Sequence, residues 1–180
     1  MVEAIPTTRF SLTDHNGRQV TEADYRGRFL IVYFGFTHCR VVCPRSLTKL
    51  STALAQLGSR ADAIVPLYVT VDPQRDTPDV MRRYLEAYPR FTGLTGSLDA
   101  IEAAKAAFRV YAQRKADPHD PDGYAVPHTA IAYFMSPDGR YLDHFSDALD
   151  EAELVGRIST AIDRMDRAIQ DIARCAGNGR

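Results

Sequence analysis

The stretch RFLIVYFGFTHCRVVCP, residues 28–44, decides the fold. Its first half is a continuous apolar run rich in aromatic and β-branched residues, the composition of a strand covered on both faces. After Phe36 two cysteines follow at positions 39 and 43, and Pro44 opens a helix, where its missing N–H costs nothing. Leu47, Leu50, Leu54 and Leu57 then form one apolar stripe that Gly58 closes. A buried strand that runs through a cysteine pair into a helix N-terminus lies where α/β sheets place their sites.

Working outward, residues 63–71 read as a second buried strand, followed by the loop DPQRDTP at 72–78. Residues 79–87 form a helix with Thr77 as its cap and Pro78 at its first position. Residues 99–108 form another helix, and 117–123, with two Pro and a Gly, form an exposed loop. Residues 129–135 are a strand, 136–139 a turn and 140–145 its antiparallel partner. On the N-terminal side, 10–13 is a short strand entering a turn at 14–17, with Asn16-Gly17 as the hairpin signal. Leu154, Ile158, Ile162, Met165, Ile169 and Ile172 recur at helical spacing, which predicts a helix over 150–174 whose final two turns overhang the domain. This order predicts an α/β, thioredoxin-like fold: a central mixed β-sheet flanked by helices, with an N-terminal β-hairpin and a long C-terminal helix. Residues 1–9 are a lead-in, 10–165 the domain, and 166–180 the helix end and tail.

Composition narrows the function. Lys plus Arg is 22 against 23 Asp plus Glu in 180 residues, a net charge of -1. That balance offers nothing to nucleic acid or an anionic surface. Three Cys are too few for a disulfide scaffold and enough for one redox pair or one metal site. No apolar run approaches the roughly 20 residues that span a bilayer, and residues 1–9 lack the apolar stretch of a signal peptide. A membrane enters only through an anchor outside the sequence given.

Cys39 and Cys43 carry the chemistry. Four residues of helix rise about 6 Å, inside the roughly 4.4–6.8 Å Cα separation of a disulfide. The free amides of a helix N-terminus favour thiolate over thiol. The pair can therefore be a disulfide, a reactive dithiol or a two-point clamp for a soft metal. In a thioredoxin-like domain His128, just before the 129–135 strand, abuts the N-terminus of the cysteine helix. Two thiolates and an imidazole with no fourth ligand suit Cu(I), and with a weak extra ligand Cu(II); structural zinc takes four. Asp72, at the end of the second buried strand, steers a partner, tunes the thiols or holds its own loop. Arg75 and Asp76 hold that loop. His38 is expected to point away from the cysteines, and His15, His119 and His144 to be solvated. Cys175 lies beyond the core.

YFGFTHCRVVCP (33–44), VDPQRDTP (71–78), GLTGS (93–97) and VPHTAIAYFMSPDGRYLDHF (126–145) together resemble the Sco/SenC family. These are thioredoxin-fold copper proteins that assist assembly of cytochrome c oxidase. The resemblance implies that Cys39, Cys43 and His128 are copper ligands, with acidic Asp72 in support. It implies copper delivery to the binuclear copper centre of the oxidase, or reduction of that centre's cysteines. The partners would be the copper-bearing oxidase subunit, other copper chaperones and thiol reductants. The place would be the bacterial periplasm or the outer face of the cytoplasmic membrane, with the mitochondrial intermembrane space as the alternative, the protein acting as a monomer. The other function the residues allow is a thiol–disulfide oxidoreductase that cycles Cys39 and Cys43 without metal. A peroxide-consuming enzyme is a poor match, because Thr37 and Arg40 are wrongly spaced from Cys39.

Three departures from the family pattern stand out. Arg40-Val41-Val42 replaces Pro-Asp between the cysteines, putting a cation where an acid is usual, which should lower thiolate pKa. Pro127 replaces an Asp before the His, removing a hydrogen-bond partner and predicting the cis-Pro geometry of thioredoxins. Residues 163–180 extend past the usual end and carry Cys175.

Overall fold

The computed structural model describes residues 9–177, with the side chains of residues 169, 172, 173 and 175–177 outside the description. The expectations for Ile169, Ile172 and Cys175 therefore lie outside the described residues. The chain runs β1 (Ser11–Asp14), β2 (Gln19–Thr21), β3 (Phe29–Gly35), α1 (Val42–Gln56), β4 (Ile64–Thr70), α2 (Pro78–Leu85) and β5 (Thr92–Thr95). It continues through α3 (Leu98–Phe108), β6 (Lys115–Ala116), β7 (Tyr124–Ala125), β8 (Ile131–Met135), β9 (Tyr141–Ser146) and α4 (Glu151–Gly177). The main sheet has the order β2-β1-β5-β4-β3-β8-β9, and β6 and β7 form a separate two-stranded ribbon.

β3 sits inside this sheet, parallel to β4 and antiparallel to β8. All seven of its residues are buried, as the apolar run predicted. Period-two alternation divides them between two cores. Ile31 and Tyr33 face α1, α2 and α4 among Leu47, Met81, Leu154 and Ile158. Leu30, Val32 and Phe34 face α3 among Ile101, Ala104 and Phe108. The sheet is thus covered on both faces, and the shared C-terminal ends of the parallel strands β3 and β4 form the edge where the cysteine loop and the 72–78 loop emerge.

The N-terminal hairpin forms in the expected place, with Leu12 opposite Val20 and Gly17 at φ +84° in the turn. The sequence reading missed β5. Thr92–Thr95 contains Gly93 and has little strand character of its own; it is held by β4 on one side and β1 on the other. Gly93 is needed there, because a Cβ would meet Leu85 at 2.8 Å and Met81 at 3.1 Å, where α2 lies on the sheet. The short β6–β7 ribbon was also missed; it frames the polar loop at 117–123. Pro66 is tolerated inside β4, since β5 pairs only from Leu67 onward and asks no amide of it. His15 is half-buried rather than solvated: its Nδ1 accepts the Gly93 amide at 2.9 Å, which ties the hairpin to the β5 edge.

α4 buries Leu154, Ile158 and Ile162 and packs along α1. Past Met165 its described side chains are exposed. Among the described residues no helix is long and apolar enough to cross a membrane.

Gly35 gives a direct test of packing beside the cysteine helix. A Cβ at this position would stand 2.6 Å from Tyr68 Cε2 and 2.8 Å from Cys43 Sγ. Gly35→Ala is expected to lower stability by about 1–3 kcal/mol, the usual cost of overpacking a filled core. Urea unfolding of the reduced protein measures it, and an unchanged midpoint would show that this contact has slack.

Candidate metal centre

Cys39 lies in the turn after β3, its amide donating to Phe36 O at 3.1 Å. α1 begins at Val42, two residues before Pro44, so Cys43 occupies the first helical turn and is fully buried. No side chain of the N-cap residue Val41 closes this helix end, and no acidic residue sits in the first turn. The Cys39 sulfur takes that place, accepting the Cys43 amide at 3.4 Å. Cys39 and Cys43 are free cysteines in this structure.

This arrangement separates the two thiols. Cys39 is pulled down to about 5, first by the hydrogen bond from the Cys43 side chain, against desolvation, and then by the amides of Cys43, Val41 and Val42. Cys43 is pushed up by that same bond, by burial and by the Cys39 charge. Of the two, alkylation of the reduced protein by iodoacetamide should therefore take Cys39 and spare Cys43, with a rate midpoint at Cys39 near pH 5. A midpoint near the ordinary thiol value of about 8.5 would show that the helix end does not hold a thiolate.

Arg40 is not among the leading causes of the lowered Cys39 value, which are Cys43 and the helix amides. Its guanidinium donates to His119 O at 2.7 Å. The side chain between the cysteines is exposed and fastens the turn to the 117–123 loop. His38 also turns toward that loop, its Nε2 3.7 Å from Asp122.

His128 stands beside Cys43, with Nε2 3.8 Å from Cys43 Sγ. Its Nδ1 lies 2.9 Å from Val126 O. A carbonyl accepts only, so Nδ1 carries the proton and Nε2 presents its lone pair to the sulfur. Phe36 meets the ring edge-on at 5.7 Å. The Val126 carbonyl thus supplies the bond that the absent Asp could have made. The Val126–Pro127 peptide is trans, not cis. The segment runs extended there: Pro127 O accepts the Gln113 amide, the Thr129 amide donates to Tyr111 O, and Ala112 pairs with His128.

Cys43 is therefore common to two contacts, one with Cys39 and one with His128. Among the described residues no three His, Cys, Asp or Glu side chains are already arranged as a closed metal-ligand group. The three predicted residues are neighbours through Cys43.

Asp72 is buried but bonded away from the sulfurs. Its carboxylate takes Arg75 Nε and accepts from Tyr124 Oη at 3.2 Å, with Arg114 3.6 Å away. The Arg75 and Arg114 guanidiniums each lie 3.8 Å from the centre of the Tyr124 ring. Asp72 thereby fastens the segment leading into His128, and it makes no recorded contact with either thiol.

The carboxylate that reaches the cysteine loop is Asp76. It accepts from the Thr37 amide at 3.1 Å, and from the hydroxyls of Thr37 and Thr70 at 2.6 Å each. Burial raises its pKa, and these bonds oppose the rise. The sequence reading confined Asp76 to its own loop. The signal that could have found it is the parallel pairing of β3 and β4, which brings the loops after both strands to one edge.

The fold and this site define a thioredoxin-like protein built around a cysteine pair with an imidazole facing the buried sulfur. A family profile described as SCO1/SenC matches residues 3–163, and the chain belongs to that family. The human mitochondrial SCO1 homolog is 38% identical over 154 residues, covering 84% of this chain and 51% of its own length. Arabidopsis thaliana ScoI, crystallised with copper bound, superposes with a TM-score of 0.82 at 33% identity, covering 87% of this chain and 97% of that one. Yeast Sco1 with copper bound gives 0.78 at 34%, covering 86% and 87%. The chain spans about half the length of the curated relatives it matches.

Proposed function

We propose that this protein binds copper through Cys39, Cys43 and His128 and passes it to the binuclear copper centre of cytochrome c oxidase. The observation that carries the reading is the shared position of Cys43 between the Cys39 sulfur and a lone-pair-bearing His128 Nε2. Two thiolates and one imidazole form a soft set with an open position, which suits Cu(I) and, with an added ligand, Cu(II). The open position suits release to a partner by ligand exchange. Copper-bound structures of relatives at 33–34% identity support the same cargo. The family resemblance supports the oxidase as destination, and the bacterial periplasm or the outer face of the cytoplasmic membrane as the place. Asp72 acts at a distance, by holding the segment that carries His128.

A second reading has its own observation. An ionised, partly exposed Cys39 next to a buried, protonated Cys43 is the asymmetry of an attacking and a resolving thiol. The same pair could reduce the cysteines of the oxidase copper centre: Cys39 attacks an acceptor disulfide, forming a mixed disulfide and releasing one thiol, and Cys43 then attacks the Cys39 sulfur, displacing the second thiol and closing the Cys39–Cys43 disulfide.

One experiment separates the two. The copper-loaded, reduced protein is mixed with the soluble copper domain of the oxidase subunit, prepared metal-free with its cysteines either reduced or disulfide-bonded. Delivery predicts copper on the reduced acceptor. The second reading predicts reduction of the disulfide-bonded acceptor by metal-free protein. Transfer of neither copper nor electrons would contradict both.

A further inference from the structure

The hydroxyls of Tyr33, Tyr68 and Tyr84 are buried and close no hydrogen bond. They are grouped together. Tyr33 and Tyr68 are register partners on β3 and β4 and stack with centroids 6.2 Å apart; Tyr68 stacks on Tyr84 at 5.7 Å. Tyr68 is fully buried, on the same side of the sheet as Cys43. Gly35 marks where they meet: a Cβ there would be 2.7 Å from Tyr68 Oη and 2.8 Å from Cys43 Sγ. The absence of a side chain at Gly35 lets hydroxyl and sulfur lie beside each other.

A thiol sulfur is a weak acceptor. A cysteine sulfur that binds a metal as thiolate carries charge, and a donor bond to a charged acceptor is roughly twice as strong.

We propose that Tyr68 is the hydrogen-bond donor to the Cys43 sulfur in its metal-bound state, and that it tunes the copper–sulfur bond from outside the ligand set. The proposal rests on the copper reading of the site. A donor on a thiolate draws electron density from the sulfur and weakens its donation to the metal. Hydrogen bonding around a ligating cysteine shifts a copper potential in this way. The sense is to favour Cu(I) over Cu(II).

Tyr68→Phe removes one oxygen and keeps the ring stack. Loaded with Cu(II), this variant should show its sulfur-to-copper charge-transfer band at longer wavelength than wild type, and a lower Cu(II)/Cu(I) potential. Tyr133→Phe, which alters a buried tyrosine on the opposite face, should shift neither. Metal-free Tyr68→Phe should be at least as stable as wild type, because the hydroxyl it loses is unpaired. An unchanged band and potential in Tyr68→Phe would overturn the proposal. Absence of copper binding in wild type would defeat the copper reading instead, and this proposal with it.

Discussion

Joining Cys39 and Cys43 in a disulfide will abolish copper uptake. The reduced sulfurs supply two of the three donors and all of their negative charge. A disulfide sulfur has neither the charge nor the basicity of a thiolate, so oxidation leaves His128 alone. The pair can form the bond: the cysteines are four residues apart at one helix end, with the Cys39 sulfur already against the Cys43 amide. Metal affinity at such a site requires deprotonated, reduced ligands, which makes the disulfide an off state for copper. The same ligand logic predicts that Cys43→Ser loses at least about a hundredfold in affinity, beyond the 10–100-fold cost of removing an outer partner of a metal ligand. Equilibrium dialysis of reduced, oxidised and variant protein measures both. Stoichiometric copper on the oxidised form would show that the donors lie elsewhere.

His128→Ala will loosen copper by at least about a hundredfold while leaving the cysteine couple intact. The imidazole is pre-set for ligation: the Val126 carbonyl holds the Nδ1 proton, and Phe36 braces the ring edge-on, so little ordering remains to be done on binding. Neither role is needed by the dithiol, whose asymmetry arises from the helix amides and from Cys43 itself. His128 is also only partly buried, so its truncation leaves the core unchanged. Competition for Cu(I) against a chelator, paired with the glutathione equilibrium of the cysteines, reads the two effects separately. Equal copper affinity in His128→Ala would reduce this residue to a structural one.

Much of this was legible in the sequence because the strongest patterns lie where the site is. The apolar run into Cys39, the leucine stripe of α1 and the Thr77-Pro78 start of α2 each fix an element by local chemistry, and together they place both thiols at one sheet edge. His128 was legible as the residue before a strand that had to lie next to the first. β5 was not, because Thr-Gly-Leu-Thr becomes a strand only between two strands already present. Contacts across loops were also hidden. Asp72 and Asp76 look alike in VDPQRDTP, yet one clasps Arg75 and Tyr124 and the other binds Thr37 in the cysteine loop. Arg40 was read only from its adjacency to the thiols, and the contact its long side chain makes with the His119 carbonyl was hidden. The cis geometry expected at Pro127 by likeness to thioredoxins is not found; the peptide is trans, in the extended pairing of residues 111–113 with 127–129.

The most direct test of the central claim is anaerobic titration of the reduced protein with Cu(I) and Cu(II), read by chelator competition and by optical spectrum, on wild type and His128→Ala together. The account predicts one tightly held copper per chain and a thiolate-to-Cu(II) charge-transfer band that is lost in His128→Ala. Absence of tight copper in the reduced wild type would contradict it, and the Cys39–Cys43 pair would then stand as a thiol couple alone.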